Sequence, residues 1–168
     1  MPGARCFDAR TKVYVVSKNL CYETLEELSK VLVAGQPPPG TPVHMGSLRA
    51  GDMVVTSLRG AMGNWVCKAA RVLQVRGYSC DRGVCRMTYK PGFCLTADHR
   101  VKIQTGQIGK EVVWSNDWLQ AHEIPGTETK IQNQATVINV VIDSTHGILI
   151  QGLGVRASPR AQEYILAS

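Results

Sequence analysis

What most limits the fold of this chain is a succession of short β-prone segments separated by turn residues. Lys12–Ser17, Met53–Thr56, Trp65–Tyr78, Arg86–Tyr89, Phe93–Thr96, Arg100–Gln104, Glu111–Trp114, Thr136–Ile142 and Ile148–Ile150 are rich in β-branched or aromatic residues, which fit a pleated, half-buried surface. Turn residues fill the gaps, and Cys80-Asp81-Arg82-Gly83-Val84-Cys85 reads as a hairpin turn with Gly83 at a positive φ. One segment has the other period. In Thr24–Val33 the residues Leu25, Leu28 and Leu32 recur at helical spacing, and Thr24 with Glu27 forms a capping box. That helix stops at Gly35, because Gln36-Pro37-Pro38-Pro39-Gly40 cannot continue it. The expectation is a mostly β domain with one short helical insertion near residues 24–33. With its Pro-rich stretch, this excursion spans 24–40.

Composition narrows the function classes. A 44% hydrophobic share over 168 residues supports one folded domain and excludes disorder. Apolar runs such as Val137–Ile142 are interrupted and far short of the roughly 18 residues of a membrane helix. Met1-Pro2-Gly3-Ala4-Arg5-Cys6 has no apolar signal core, so neither a signal peptide nor a transmembrane segment is expected, and the compartment stays open. The net charge of +6 comes from singly scattered cations, so neither nucleic acid nor a membrane is expected as partner. The six Cys include no two closely spaced pairs, so no metal and no cofactor are expected. Their even number would allow bridges, with the pairing open. The chain reads as a monomer.

There is also an internal echo. Met45–Val54 resembles Trp118–Thr127, each with a helix-like turn ending in Leu or Ile, then Gly, before a strand. A repeat of about 73 residues suggests two related β halves wrapped on each other.

Three residues carry a possible chemistry. Cys6 stands just before the first strand, and Thr96 and His99 flank Ala97-Asp98 at a strand-to-strand junction. Singly, Cys6 reads as a small buried hydrophobe and Thr96 with His99 as a polar turn. Together they are what an intramolecular acyl shift requires. The Cys6 sulfur attacks the Arg5 carbonyl carbon, and the oxyanion needs a donor such as the Thr96 hydroxyl or a backbone N–H beside it. The departing Cys6 nitrogen needs a proton, which an imidazole can supply.

The same residues resemble those of the Hint family, the autoprocessing modules of hedgehog precursors and inteins. Cys6-Phe7 with Thr11-Lys12-Val13 is similar to the family's opening block, and Leu48 to Val54 to its "L-x-x-G-D-x-V" stretch. Leu95-Thr96-Ala97-Asp98-His99-Arg100-Val101 resembles the "T-x-D-H-x-V" block of inteins and the "T-x-x-H" of hedgehog proteins. Trp118 to Ile124 is similar to "W-x-x-A-x-x-L", and Ser144–Ser158 to the closing block. The matches run in order across residues 6–158, leaving 1–5 as an upstream flank and 159–168 as a C-terminal tail.

The resemblance implies a horseshoe of two pseudo-twofold β halves. It also implies Cys6 as nucleophile, Thr96 as oxyanion partner, His99 as the acid that releases the Cys6 nitrogen, and Asp98 as a loop-orienting residue or plain turn cap. Cleavage would fall between Arg5 and Cys6, with the chain's own upstream polypeptide as substrate. Where inteins end in His-Asn, this chain has Arg156-Ala157 before Ser158, and where hedgehog proteins have a late Cys it has Pro159. Ala157 cannot cyclise, so splicing is not expected. Trp65–Val72 lacks the carboxylate that hedgehog proteins use with sterol. Water or a small thiol is therefore the expected resolving nucleophile, with Cys67 or Cys94 as internal alternatives. Two other readings compete: a Hint fold that has lost turnover and serves as a binding or structural module, and a Cys-His protease acting in trans. His44, His122 and His146 are expected to take no part.

Overall fold

The computed structural model describes residues 6–16, 40–59, 65–79, 85–90, 93–97, 99–108, 111–115, 117–132, 136–144, 147–150, 155–157 and 160–161. The helix expected at 24–33, nearly all of the 24–40 excursion, the 1–5 flank and the Cys80–Cys85 turn tip lie outside these residues, as do Ser158 and Pro159.

The described residues are mostly β. In chain order the strands are β1 (Phe7–Asp8), β2 (Lys12–Val16), β3 (Thr41–His44), β4 (Met53–Arg59), β5 (Trp65–Ser79), β6 (Cys85–Lys90), β7 (Phe93–Thr96) and β8 (Arg100–Ile108). There follow β9 (Glu111–Trp114), β10 (Leu119–Gln120), β11 (Glu128–Gln132), β12 (Thr136–Ile142), β13 (Gly147–Ile150), β14 (Val155–Ala157) and β15 (Arg160–Ala161). They pair along an open path, β10-β8-β14-β13-β2-β4-β5-β12-β1-β7-β6-β11, with no closed barrel among the described residues. Every pairing is antiparallel except that of β15 with β12. The segment expected to be a tail thus adds a strand to β12.

The apolar runs became strands because each buries a face. Six strands not expected from sequence (β1, β3, β10, β11, β14 and β15) lack that signal. β3 contains Pro42 and pairs only with β2, an edge position that tolerates a missing N–H. β11 is polar, pairs only with β6, and leaves Ile131 64% exposed.

Two loops show why the halves match. Met45–Ser47 and Ala121–Glu123 each form a 3-10 turn, closed at 3.2 Å by the N–H of Leu48 onto the Met45 carbonyl and by that of Ile124 onto the Ala121 carbonyl. Gly51 and Gly126 follow at φ 97° and 79°, a region that side chains with a Cβ avoid. The echo is therefore real, but its register aligns Met45 with Ala121 rather than with Trp118.

Each turn docks on an earlier one in the same way. Met45 and Gly46 donate to the Thr11 and Ala9 carbonyls (2.7 and 2.9 Å), and Ala121 and His122 donate to those of His99 and Ala97 (2.9 and 3.0 Å). The receiving turns match too, with Thr11 N–H onto the Asp8 carbonyl and His99 N–H onto the Thr96 carbonyl. Cys6–Val13 therefore corresponds to Cys94–Val101, 88 residues later. Phe7 and Leu95, equivalent to each other, are also paired with each other, which puts the pseudo-twofold axis at this pair. The equivalent residues Phe7 and Leu95, Val13 and Val101, Met45 and Ala121, Leu48 and Ile124 all lie in one core cluster.

Candidate active site

The β1–β7 register brings the site together. Because Phe7 faces Leu95 in an antiparallel pair, Cys6 lies across from Thr96. Both are buried, at 1% and 6% exposure. The Cys6 N–H donates to Thr96 Oγ1 at 3.0 Å, and the same hydroxyl donates its proton to the Cys6 carbonyl at 3.3 Å. The Thr96 backbone N–H reaches that carbonyl at 3.0 Å.

His99 completes the group. Its ring is 1% exposed, lies 4.5 Å from the Phe7 ring between centroids, and places Nδ1 3.2 Å from the Cys6 carbonyl oxygen. A carbonyl only accepts, so this hydrogen bond assigns the proton to Nδ1 and, in a neutral imidazole, makes Nε2 the unprotonated nitrogen. The backbone holds His99 at both ends: its N–H closes the turn on Thr96, and its carbonyl accepts from Ala121.

Three of the sequence-derived residues, Cys6, Thr96 and His99, thus converge on one backbone unit. Arg5 and Asp98 lie outside the described residues. The contact expected between the Arg5 carbonyl and the Thr96 hydroxyl, or a backbone N–H beside it, therefore falls outside them too, and what the described residues give is the setting of the hydroxyl around Cys6. The Thr96 hydroxyl proton points to the Cys6 carbonyl, and its lone pair takes the Cys6 N–H.

No family model matches the chain, and no curated protein matches it. It is similar to the crystal structure of the MchDnaB-1 intein, at 15% identity and a TM-score of 0.44, over 90% of this chain and 98% of that one.

Other sequence candidates fall elsewhere. His44 and His122 are exposed, the latter with Nε2 2.6 Å from Gln120 Oε1, and His146 lies outside the described residues. Among the described residues no group of His, Cys, Asp or Glu is placed to hold a metal. Cys67 belongs to a second core cluster with Tyr14, Val16, Val55, Trp114 and Leu149. Burial pushes its thiol up to about 11. Cys94 is also raised to about 11, chiefly by burial and further by the neighbouring Asp8 carboxylate. Both are neutral thiols at pH 7, a poor state for a second nucleophile.

Thr11 was missed as a site neighbour. It is 1% exposed, its Oγ1 donates to the Cys94 carbonyl at 2.6 Å, and the Cys94 N–H donates back to Oγ1 at 3.1 Å. The signal was in the sequence: Cys-apolar-x-Ala-x-x-basic-Val occurs at Cys6–Val13 and again at Cys94–Val101.

Proposed function

We propose that this chain is a Hint-type autoprocessing domain that breaks its own backbone at Arg5–Cys6. The observation that carries the reading is the convergence of Thr96 and His99 on the Cys6 amide unit, with Cys6 itself buried at the entry to β1. In the step proposed, the Cys6 sulfur bonds to the Arg5 carbonyl carbon and the bond from that carbon to the Cys6 nitrogen breaks. The thiol loses its proton and the departing nitrogen gains one, so the step is an isomerisation from amide to thioester.

The hydrogen bonds suit this chemistry. With its N–H directed at Thr96 Oγ1, the Cys6 peptide is held in one orientation for the attack. An amide nitrogen has no available lone pair until the carbonyl carbon turns tetrahedral. The pair then emerges out of the peptide plane, away from the Thr96 bond, and takes its proton from His99. The ring already lies 3.2 Å from the carbonyl oxygen of the same residue. A thioester is less stable than an amide, so the reaction completes only when water or an external thiol captures the acyl group. Water leaves an Arg5 carboxylate; a thiol leaves a new thioester; either leaves Cys6 as a free N-terminus. The neutral Cys67 and Cys94 thiols make an internal acceptor the weaker route. Without an Asn at position 157 the chain stops at cleavage and does not splice.

Burial of both Cys6 and His99 at 1% exposure favours a bond of the chain's own backbone over a protein substrate supplied in trans. The test is a folded reporter fused ahead of Cys6, incubated with dithiothreitol and followed by mass. Reporter released after Arg5, and not from a Cys6→Ala chain, is the expected result. An intact fusion under strong thiol would leave a Hint fold without turnover. Cleavage of an added protein would favour the trans protease.

A further inference from the structure

We infer that Thr11 is a positioning residue of the cleavage site, acting through β7 rather than on the reacting atoms; this rests on the cleavage reading above. The β1–β7 ladder is short among the described residues, with Phe7 and Leu95 its one register pair. A slip of one residue would turn every side chain to the opposite face, so the site depends on this one pair staying in register. Here a slip would put Leu95 or Ala97 across from Cys6 and take the Thr96 hydroxyl away from its amide.

Thr11 ties that register from outside the ladder. One hydroxyl holds both the carbonyl and the N–H of Cys94, at 2.6 and 3.1 Å, so β7 cannot slide along its axis without breaking both bonds. The anchor joins Cys94, two residues before Thr96 on β7, to Thr11, five residues after Cys6 in the turn between β1 and β2. Thr11 is fixed in turn by its N–H onto the Asp8 carbonyl and its carbonyl under the Met45 N–H. A chain of short bonds therefore runs from the first 3-10 turn, through Thr11 and Cys94, to Thr96 and the Cys6 amide. Pseudo-symmetry makes the assignment sharper. Thr11 corresponds to His99 and Cys94 to Cys6, and each of Thr11 and His99 reaches across the axis to the carbonyl of the other half's cysteine. One half uses that contact to align a strand, the other to place an imidazole.

The test compares Thr11→Val, nearly isosteric but without the hydroxyl, with Thr11→Ser, which keeps it. In the reporter fusion, the first-order rate of release at saturating dithiothreitol is expected to fall about 10–100-fold for Thr11→Val, the usual effect of a small misplacement. It should stay within about threefold of the parent for Thr11→Ser. Parent-like release from Thr11→Val, or equal slowing in both variants, overturns the inference. A second readout does not depend on cleavage. In a Cys6→Ala chain, amide hydrogen exchange at position 6 should speed up with Thr11→Val and stay protected with Thr11→Ser. Unchanged protection in Thr11→Val overturns the latch, even if the parent fusion fails to cleave, an outcome that by itself counts only against the cleavage reading. Should Thr11→Val fail to fold, a Thr11→Ser chain that releases reporter more than tenfold slower than the parent overturns the role of the hydroxyl.

Discussion

Replacing His99 tests whether its ring moves a proton or only holds the peptide. The ring does two things in the folded chain: it packs on Phe7 at 4.5 Å and donates Nδ1–H to the Cys6 carbonyl at 3.2 Å. His99→Gln retains a side-chain N–H able to reach that oxygen, and fills much of the volume, but cannot exchange protons near neutral pH. His99→Ala loses both. A general acid contributes about 10²–10⁴ in rate, equivalent to about 2.7–5.5 kcal/mol at 1.36 kcal/mol per decade. Release of a fused reporter by dithiothreitol should therefore slow by at least about 100-fold in both variants. Folding should separate them. Emptying a buried ring site costs His99→Ala about 2–4 kcal/mol in a urea unfolding curve, by analogy with large-to-small core changes, whereas His99→Gln should lose about 1 kcal/mol or less. Release from His99→Gln within threefold of the parent would refute the proton-transfer role and leave the imidazole as a peptide clamp.

The raised thiols of buried Cys67 and half-buried Cys94 predict an alkaline loss of stability. Cys67 and Cys94 titrate near 11 in the folded chain, above the ordinary thiol range of about 8.5. Between these values the unfolded chain has already released protons that the folded chain retains, so stability is full below about pH 8.5 and falls as pH rises towards 11. Urea midpoints across that range should decline, and Cys67→Ala should flatten the decline; a midpoint that rises would contradict the burial of these thiols. Leu48 and Ile124 occupy equivalent places after the two 3-10 turns, at 5% and 6% exposure. Truncating either to Ala should cost about 2–5 kcal/mol, and a loss below about 1 kcal/mol at one of them would show that the two turns do not share a core.

Much of the strand content was legible because apolar alternation is a local property. β9 and β12 have the bounds read from the sequence, Glu111–Trp114 and Thr136–Ile142. β5 exceeds its reading by Ser79 alone, whereas β8 runs on from Gln104 to Ile108 through Gly106 and Gln107, whose pairing comes from β9 rather than from their own preference. β11 was invisible for the opposite reason: Glu128, Lys130 and Gln132 look like loop until β6 gives their backbone a partner. At the site, residue types and spacing pointed to Cys6, Thr96 and His99. The direction of the Thr96 hydroxyl was not readable, since it depends on the Phe7–Leu95 register, a contact between segments far apart in the chain. The docking of the 3-10 turns was hidden likewise, because backbone carbonyls at Ala9, Thr11, Ala97 and His99 do that work irrespective of side chain.

β1 is stitched on both flanks, Phe7 to Leu95 on one side and Phe7-Asp8 to Ile138-Val137 on the other. A cut immediately ahead of Cys6 severs a connection without unpicking that seam. Under the proposed reaction, the domain left behind would begin with a cysteine that already has its place in the fabric, a finished protein rather than debris.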